Sequence, residues 1–378
     1  MRTLLTIWMA IWITTSVSAA DGDVNKETVN GVEWTYMVLS EANKTCKVGV
    51  SELKYSDSHD EYYWENIKLA IDVNTTGAIS IPSKLNDYTV VAVAEGAFID
   101  CKISSVIIPE GVNLDEGRAF VSCDNLTSVQ LPEGLNATGL ATFHSCKSLV
   151  SLSVAEGNKT YDSRDNCNAI IETETNKLVA NLYSATTIPS FVKIIGAFMF
   201  EGSYITAIDI PEGVTTIEKR AFSSCNLNTV SFPSTLTSIG DEAFSRCKNL
   251  TTVILPASLT TIGSDAFESC QNLRDVYNLA SVPQTLDSDY SFSTGYKDGL
   301  VYDATLHVLP GCKSAYQAAN IWKNFSNILE DAVSTDMNIR RKPAPSFNTR
   351  YTLEGRLSTN NKGIILIRLD DGSVKKIL

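Results

Sequence analysis

Three histidines, His59, His144 and His307, are all that 378 residues contain, and they stand far apart in the chain. Histidine is the side chain that titrates near neutral pH and the commonest ligand of catalytic metals, so both chemistries have little to draw on. Positive charge is also short: 31 Lys and Arg stand against 43 Asp and Glu, a net charge of −12, with no basic block in the body of the chain. A nucleic-acid partner needs a clustered positive footprint, so none is expected. The glycine-rich and nucleophile signatures are missing too. No P-loop, G-x-G-x-x-G, G-x-S-x-G or H-E-x-x-H occurs, and neither an enzymatic activity nor a cofactor is expected. Beyond residue 20 no apolar run is long enough to span a bilayer, which takes about 20 residues.

What is present begins with the first twenty residues. Arg2 precedes the apolar run LLTIWMAIWITTSV, and Ser18, Ala19 and Ala20 follow it. A positive start, an apolar centre and small residues at the end describe a secretory signal peptide cut near Ala20, placing the mature chain outside the cell or on its surface. The chain as a whole is 44% hydrophobic, enough for a large core.

A fixed period runs through that core. RAFSSC at 220–225 returns as EAFSRC at 242–247 and DAFESC at 265–270. Aligned on the aromatic residue, the copies put Phe at 98, 120, 143, 200, 222, 244 and 267, steps of 22–23 residues with one gap of 57. Self-similarity at such a period marks a solenoid, in which a unit that cannot bury its apolar face alone is covered by its copies. After each Phe comes an L-x-x-L-x-L pattern, as in Leu250-x-x-Val253-x-Leu255-Pro256, whose last part reads as a short strand with Val253 and Leu255 inward and Ile254 outward. Pro then ends the strand, having no N–H to continue a ladder. About five residues before most of these Phe stand Val93, Ile195, Ile217, Ile239 and Ile262, usually followed by Gly.

The combined pattern IP-x-x-[VL]-x-x-I-G-x-x-AF-x-x-C-x-x-L-x-x-V-x-[IL]P resembles the BspA-like leucine-rich repeat family of bacterial surface proteins, over residues 76 to about 277. Cys167-Asn168-Ala169-Ile170-Ile171 with Leu178 looks like a unit that such proteins insert between repeats, and accounts for the long gap. Leu309-Pro310-Gly311 through Tyr316, with Trp322-x-x-Phe325, looks like the element that closes these arrays. The expected fold is a mostly β, right-handed solenoid with one parallel sheet along its concave side. Its expected parts are a signal peptide (1–20), a β-rich N-terminal cap (21–75), repeats (76–277, with an irregular insert at about 155–190), a C-terminal cap (278–332), a linker (333–350) and a terminal hairpin (351–378). The hairpin, YTLEGRLSTNNKGIILIRLDDGSVKKIL, resembles the endings that many Bacteroidetes export through the type IX pathway. A terminal hairpin with no sorting role is the alternative.

Six cysteines, at 101, 123, 146, 225, 247 and 270, each follow a repeat Phe by three residues. Disulfides between coils would suit a secreted protein. Two ladders of three cannot pair evenly, however, and the copy at 203 is Ser, so buried structural thiols are the expectation. No C-x-x-C pair offers a metal site. His144 sits two residues before Cys146 in a variable slot, a poor basis for a catalytic dyad. Asp57, Asp60 and Glu61 beside Tyr62, Tyr63 and Trp64 read as a solvated cap rather than a calcium or glycan site, and Asp287 with Asp289 lack an EF-hand pattern.

Function is therefore expected to reside in a surface. A non-catalytic, monomeric surface protein is expected, and the resemblance implies contact with host proteins, other cells or glycans, the alternative being a purely structural cell-envelope role. Strand alternation points outward Ser105 and Ile107, Ser128 and Gln130, Ser151 and Ser153, Ala207 and Asp209, Thr229 and Ser231, and Thr252 and Ile254. That row is small, hydroxyl-rich and almost uncharged in an acidic protein. It is the candidate binding face, where a partner forms hydrogen bonds without desolvating charge.

Overall fold

A computed structural model describes residues 20–56, 61–114, 117–135, 139, 142–293, 302–332, 365–368 and 374–377, the backbone alone for 51–56, 61–67 and the two last segments. The apolar run expected to be a signal peptide, Asp57 and Asp60, the side chains of Glu61 to Trp64, and the expected 333–350 linker lie outside the described residues.

The repeats stack as a β-solenoid of about 10 turns. In one coil, the two-residue strand Ser238–Ile239 is followed by a tight turn carrying Phe244 and Cys247, and then by the strand Thr252–Leu255. Both strands pair in parallel with their copies in neighbouring coils. Ile195, Ile217, Ile239 and Ile262 lie in one register, and Val253 pairs with Val276. The turn is laddered as well: the Phe222 and Phe244 amides donate to the carbonyls of Ala243 and Ala266, each at 2.8 Å. Two non-glycine residues in most turns hold left-handed backbone, such as Glu242 (φ 53°) and Arg246 (φ 60°). The cost of that conformation is offset by the inter-coil bonds from the same residues, Glu242 N to Ser264 O at 2.8 Å and Arg246 N to Glu268 O at 2.7 Å.

The repeated phenylalanines form ring stacks. Phe98–Phe120–Phe143 are spaced at 4.7 and 5.5 Å, and Phe200–Phe222–Phe244–Phe267 at 4.9, 5.1 and 5.3 Å. An eighth rung, Phe292, stacks on Phe267 at 5.3 Å. Its step of 25 residues breaks the period, which is why the spacing hides it. Trp34 closes the first stack edge-on to Phe98 at 6.2 Å, and Tyr302, Trp322 and Phe325 surround Phe292 at the other end.

The expected single parallel sheet is divided. Gly77–Ser80, Ile103–Ile107, Ser128–Leu131 and Ser151–Val154 form a four-stranded sheet. Ala207–Asp209, Thr229–Ser231, Thr252–Leu255, Asp275–Asn278, Tyr302–Val308 and Phe325–Leu329 form a separate six-stranded one. Between them the insert folds as an antiparallel hairpin, Ala169–Glu172 with Lys177–Asn181, which joins the sheet of two-residue strands instead. The hydrophobic core divides at the same place. Ile170 and Ala180 belong to the core of the preceding coils, whereas Ala169, Ile171 and Leu178 belong to that of the following ones.

At the N-terminus, Val24–Val29, Val32–Ser40 and Thr45–Val48 pair antiparallel, and the third strand pairs in parallel with Tyr88–Val93, so one sheet joins residues on both sides of position 75. Near the C-terminus, the short helix Lys313–Ala318 buries Tyr316, whose hydroxyl donates to Ala280 O at 2.8 Å. Ile365–Arg368 and Val374–Ile377 form an antiparallel pair.

Candidate functional site

The candidate face is built by register. In the four-stranded sheet Ser105, Ser128 and Ser151 lie side by side in one row, and Ile107, Gln130 and Ser153 in the next. Ser128, Gln130 and Ser151 are exposed, Ser105 and Ser153 half-buried, and Ile107 stands 63% exposed. In the six-stranded sheet Ala207, Thr229 and Thr252 form one row and Asp209 and Ser231 part of another. Ala207 and Asp209 are exposed, and Thr229, Ser231 and Ile254 half-buried. Two expectations are corrected. The row is two patches, because the sheets are separate, and Thr252 is buried at 6% exposure between its lateral neighbours Thr229 and Asp275.

The face also extends further than the repeat pattern indicates. Asp275 and Tyr277, Thr305 and His307, and Asn327 and Leu329 continue the rows across three more parallel strands. Tyr277 stacks on His307 at 4.2 Å. The His307 ring nitrogens reach two carboxylates, Nδ1 to Asp331 Oδ1 at 2.6 Å and Nε2 to Asp275 Oδ1 at 3.0 Å, tying strands of successive coils together. Burial pushes the Tyr277 phenol up to about 12. Both members of the pair are buried, Tyr277 at 7% and His307 at 6% exposure, so they hold strands together rather than offer a ligand an aromatic surface. Leu306-x-Val308-Leu309-Pro310 carries the strand-then-Pro signal with one residue added, which is how the sequence could have shown the extension.

The nine cysteines are free thiols. Five of the ladder residues donate to the carbonyl of the preceding coil's Phe: Cys123 to Phe98 at 2.9 Å, Cys146 to Phe120 at 2.9 Å, Cys225 to Phe200 at 2.8 Å, Cys247 to Phe222 at 3.1 Å and Cys270 to Phe244 at 3.2 Å. The ladder is therefore a hydrogen-bond ladder as well as apolar packing. Cys146 points into it, away from His144. That histidine donates from Nε2 to Glu201 O at 3.0 Å and accepts from Ser145 Oγ at Nδ1, also at 3.0 Å, and burial holds it below the usual imidazole range. Asp287 is exposed and Asp289 half-buried, and no group of three potential ligands gathers among the described residues.

A repeat model described as the BspA-type leucine-rich repeat region matches six copies, over residues 76–186 and 170–294. The chain belongs to the BspA-type leucine-rich repeat family. No curated protein matches it. Among solved structures, the pneumococcal vaccine antigen PcpA is 14% identical, over 83% of this chain and 100% of that one, at a TM-score of 0.45. A leucine-rich cell surface protein of Faecalibacterium prausnitzii is 15% identical over 79% and 98%, at 0.43. A leucine-rich repeat protein of Bacteroides ovatus is 18% identical over 68% and 69%, at 0.32. In this BspA-type array the matched copies include the strands that carry all the expected face residues, whereas the strands at 302–308 and 325–329 fall beyond them.

Proposed function

We propose that this BspA-type protein is exported and acts outside the cell as a non-catalytic binding protein, its partner a protein or a glycan that lies across the strand face. One observation supports the reading most. Side chains of successive coils stand in register on that face, short and mostly neutral from Ser105 to Ser231. A regular row of hydroxyl and amide groups suits an extended ligand with its own repeat, which can form hydrogen bonds along it without desolvating charge. The antiparallel pair at 365–377 fits a role in export; deleting residues 351–378 is expected to leave the protein inside the cell envelope.

The exported protein would be tested against matrix-protein and mucosal-glycan arrays. Replacing Gln130, Ser153, Ser231 and Ile254 together by Lys is expected to leave the circular dichroism unchanged and to abolish capture. Full capture by the substituted protein would move the site off this face, and no capture by the native protein would favour a structural role in the envelope.

A further inference from the structure

We infer that the exposed ring of Tyr204, at the margin of the strand face where the two repeat blocks meet, is the stacking platform for a neutral, galactose-terminated glycan. The inference rests on the reading of that face as the binding side and names the chemistry of its partner. Each ladder position is followed by one exposed residue, and in six coils that residue is polar or charged: Lys102, Asp124, Lys147, Asn226, Lys248 and Gln271. In the remaining coil Ser203 is followed by Tyr204, 67% exposed. Three residues on, Ala207 opens the edge strand of the six-stranded sheet.

The Tyr204 ring belongs to neither core, so packing does not call for an aromatic there. It is nevertheless held in place. Tyr183 stands edge-on to it at 5.9 Å, and the Tyr183 hydroxyl donates to Gly202 O at 3.0 Å, which ties the supporting ring to the coil that carries Tyr204. A single exposed apolar side chain is ordinary on a protein surface. A propped one differs, because a flat ring with little freedom left to lose is already organised for binding.

Polar groups flank the ring. Across the seam Lys147 pairs with Asp124 at 3.1 Å, both side chains about half exposed. Asp124 and, more weakly, the Tyr204 phenol hold the Lys147 ammonium above the usual lysine range, so the ion pair lies within electrostatic reach of the ring. In the next coil the counterpart of Tyr204 is Asn226, 22 residues on, an exposed amide. An apolar ring bordered by a carboxylate, an ammonium and an amide complements a pyranose, which has a C–H face and a rim of hydroxyls. Galactose fits best, because its axial hydroxyl stands on the opposite side and leaves one unbroken C–H patch. The flanking charges are paired, so they bind hydroxyls without selecting an anion, and the protein's net charge of −12 disfavours a sialylated chain.

The full exported protein would be titrated with N-acetyllactosamine and its sialylated form by saturation-transfer NMR. N-acetyllactosamine is expected to bind saturably in the millimolar range, roughly fivefold more tightly than the sialylated form, with transfer strongest on the C–H face of galactose. Tyr204→Ala is expected to weaken binding roughly tenfold with the circular dichroism unchanged, and Tyr204→Phe, which keeps the ring, to stay within about twofold of native. The fourfold Lys replacement on the strand face separates this inference from the reading it rests on. Sugar binding lost in that variant but unchanged in Tyr204→Ala overturns the platform and keeps the face, whereas the reverse supports the platform and removes the face. No saturable sugar binding, equal binding of the sialylated form, or capture of proteins alone on the arrays would overturn the inference.

Discussion

At each ladder position a cysteine does something serine does once. Ser203 holds the slot in the coil after the insert and donates to Tyr183 O, so the chain itself shows that a hydroxyl can replace the thiol. Cys247→Ser is therefore expected to cost less than Cys247→Ala, which loses the 3.1 Å bond to Phe222 O and opens a small void for about 1–2 kcal/mol. Urea denaturation of the three proteins measures the difference. Burial also pushes the thiols of Cys46, Cys101 and Cys247 from 9.0 to about 12. Between those values the unfolded chain has released protons that the folded chain still holds, so stability falls as pH rises from about 9 to 12, by at most about 1.4 kcal/mol per pH unit for each thiol. Thiol reagents at pH 8 are expected to leave these residues unmodified until the protein unfolds, and Cys247→Ser is expected to lose less stability than the native chain over the alkaline range.

At the scale of the coil, two contacts set the stacking distance. One is the Phe ring: Phe244 is fully buried with Phe222 at 5.1 Å on one side and Phe267 at 5.3 Å on the other. Phe244→Ala is expected to cost roughly 3–5 kcal/mol, read from chemical denaturation, because neighbouring rungs cannot close the gap without breaking the strand ladders. The other is the glycine after the two-residue strand. A Cβ on Gly240 would lie 2.8 Å from both Glu218 C and Lys219 N, and on Gly196 2.3 Å from Leu178 O, so the backbone of one coil occupies the volume a side chain would need. Gly240→Ala is expected to destabilise by about 1–3 kcal/mol through forced separation of the coils. Gly240 is needed for close approach rather than for a left-handed turn. Gly111, with φ 82° and open space around it, serves as the comparison, since Ala there is penalised by backbone strain alone.

Across the whole molecule, the two cores behave as neighbours in a one-dimensional array, where stability is a sum of unit and nearest-neighbour terms. Trp34 lies in the first core and Trp322 in the second, both fully buried. The hairpin between them divides its residues, Ile170 and Ala180 to the first core and Ala169, Ile171 and Leu178 to the second, so a defect in one core is not transmitted fully to the other. Hydrogen exchange of Phe244→Ala is expected to accelerate in the coils from 195 to 330 and to leave the protection of the coils from 77 to 154 close to native. Uniform acceleration across both would show that the hairpin couples the cores into a single cooperative unit.

The period by itself determined the solenoid, the Phe stack and the inward and outward sides of each strand. The reason is physical: in a stacked array the neighbour of Phe222 is its own copy 22 residues away, so a one-dimensional pattern contains the three-dimensional contact. Tertiary structure decided what is not periodic. The bulged hairpin at 169–181 divides the sheet and the core through pairings no repeat predicts. Thr252 is covered by lateral neighbours, which alternation along a single strand does not encode. Tyr277 meets His307 only because the strand at 302–308 pairs beside that at 275–278, 30 residues on rather than 22–23. Tyr183 follows Leu178 by five residues, as Phe200 follows Ile195, yet its hydroxyl, which a Phe edge lacks, donates to the Gly202 carbonyl.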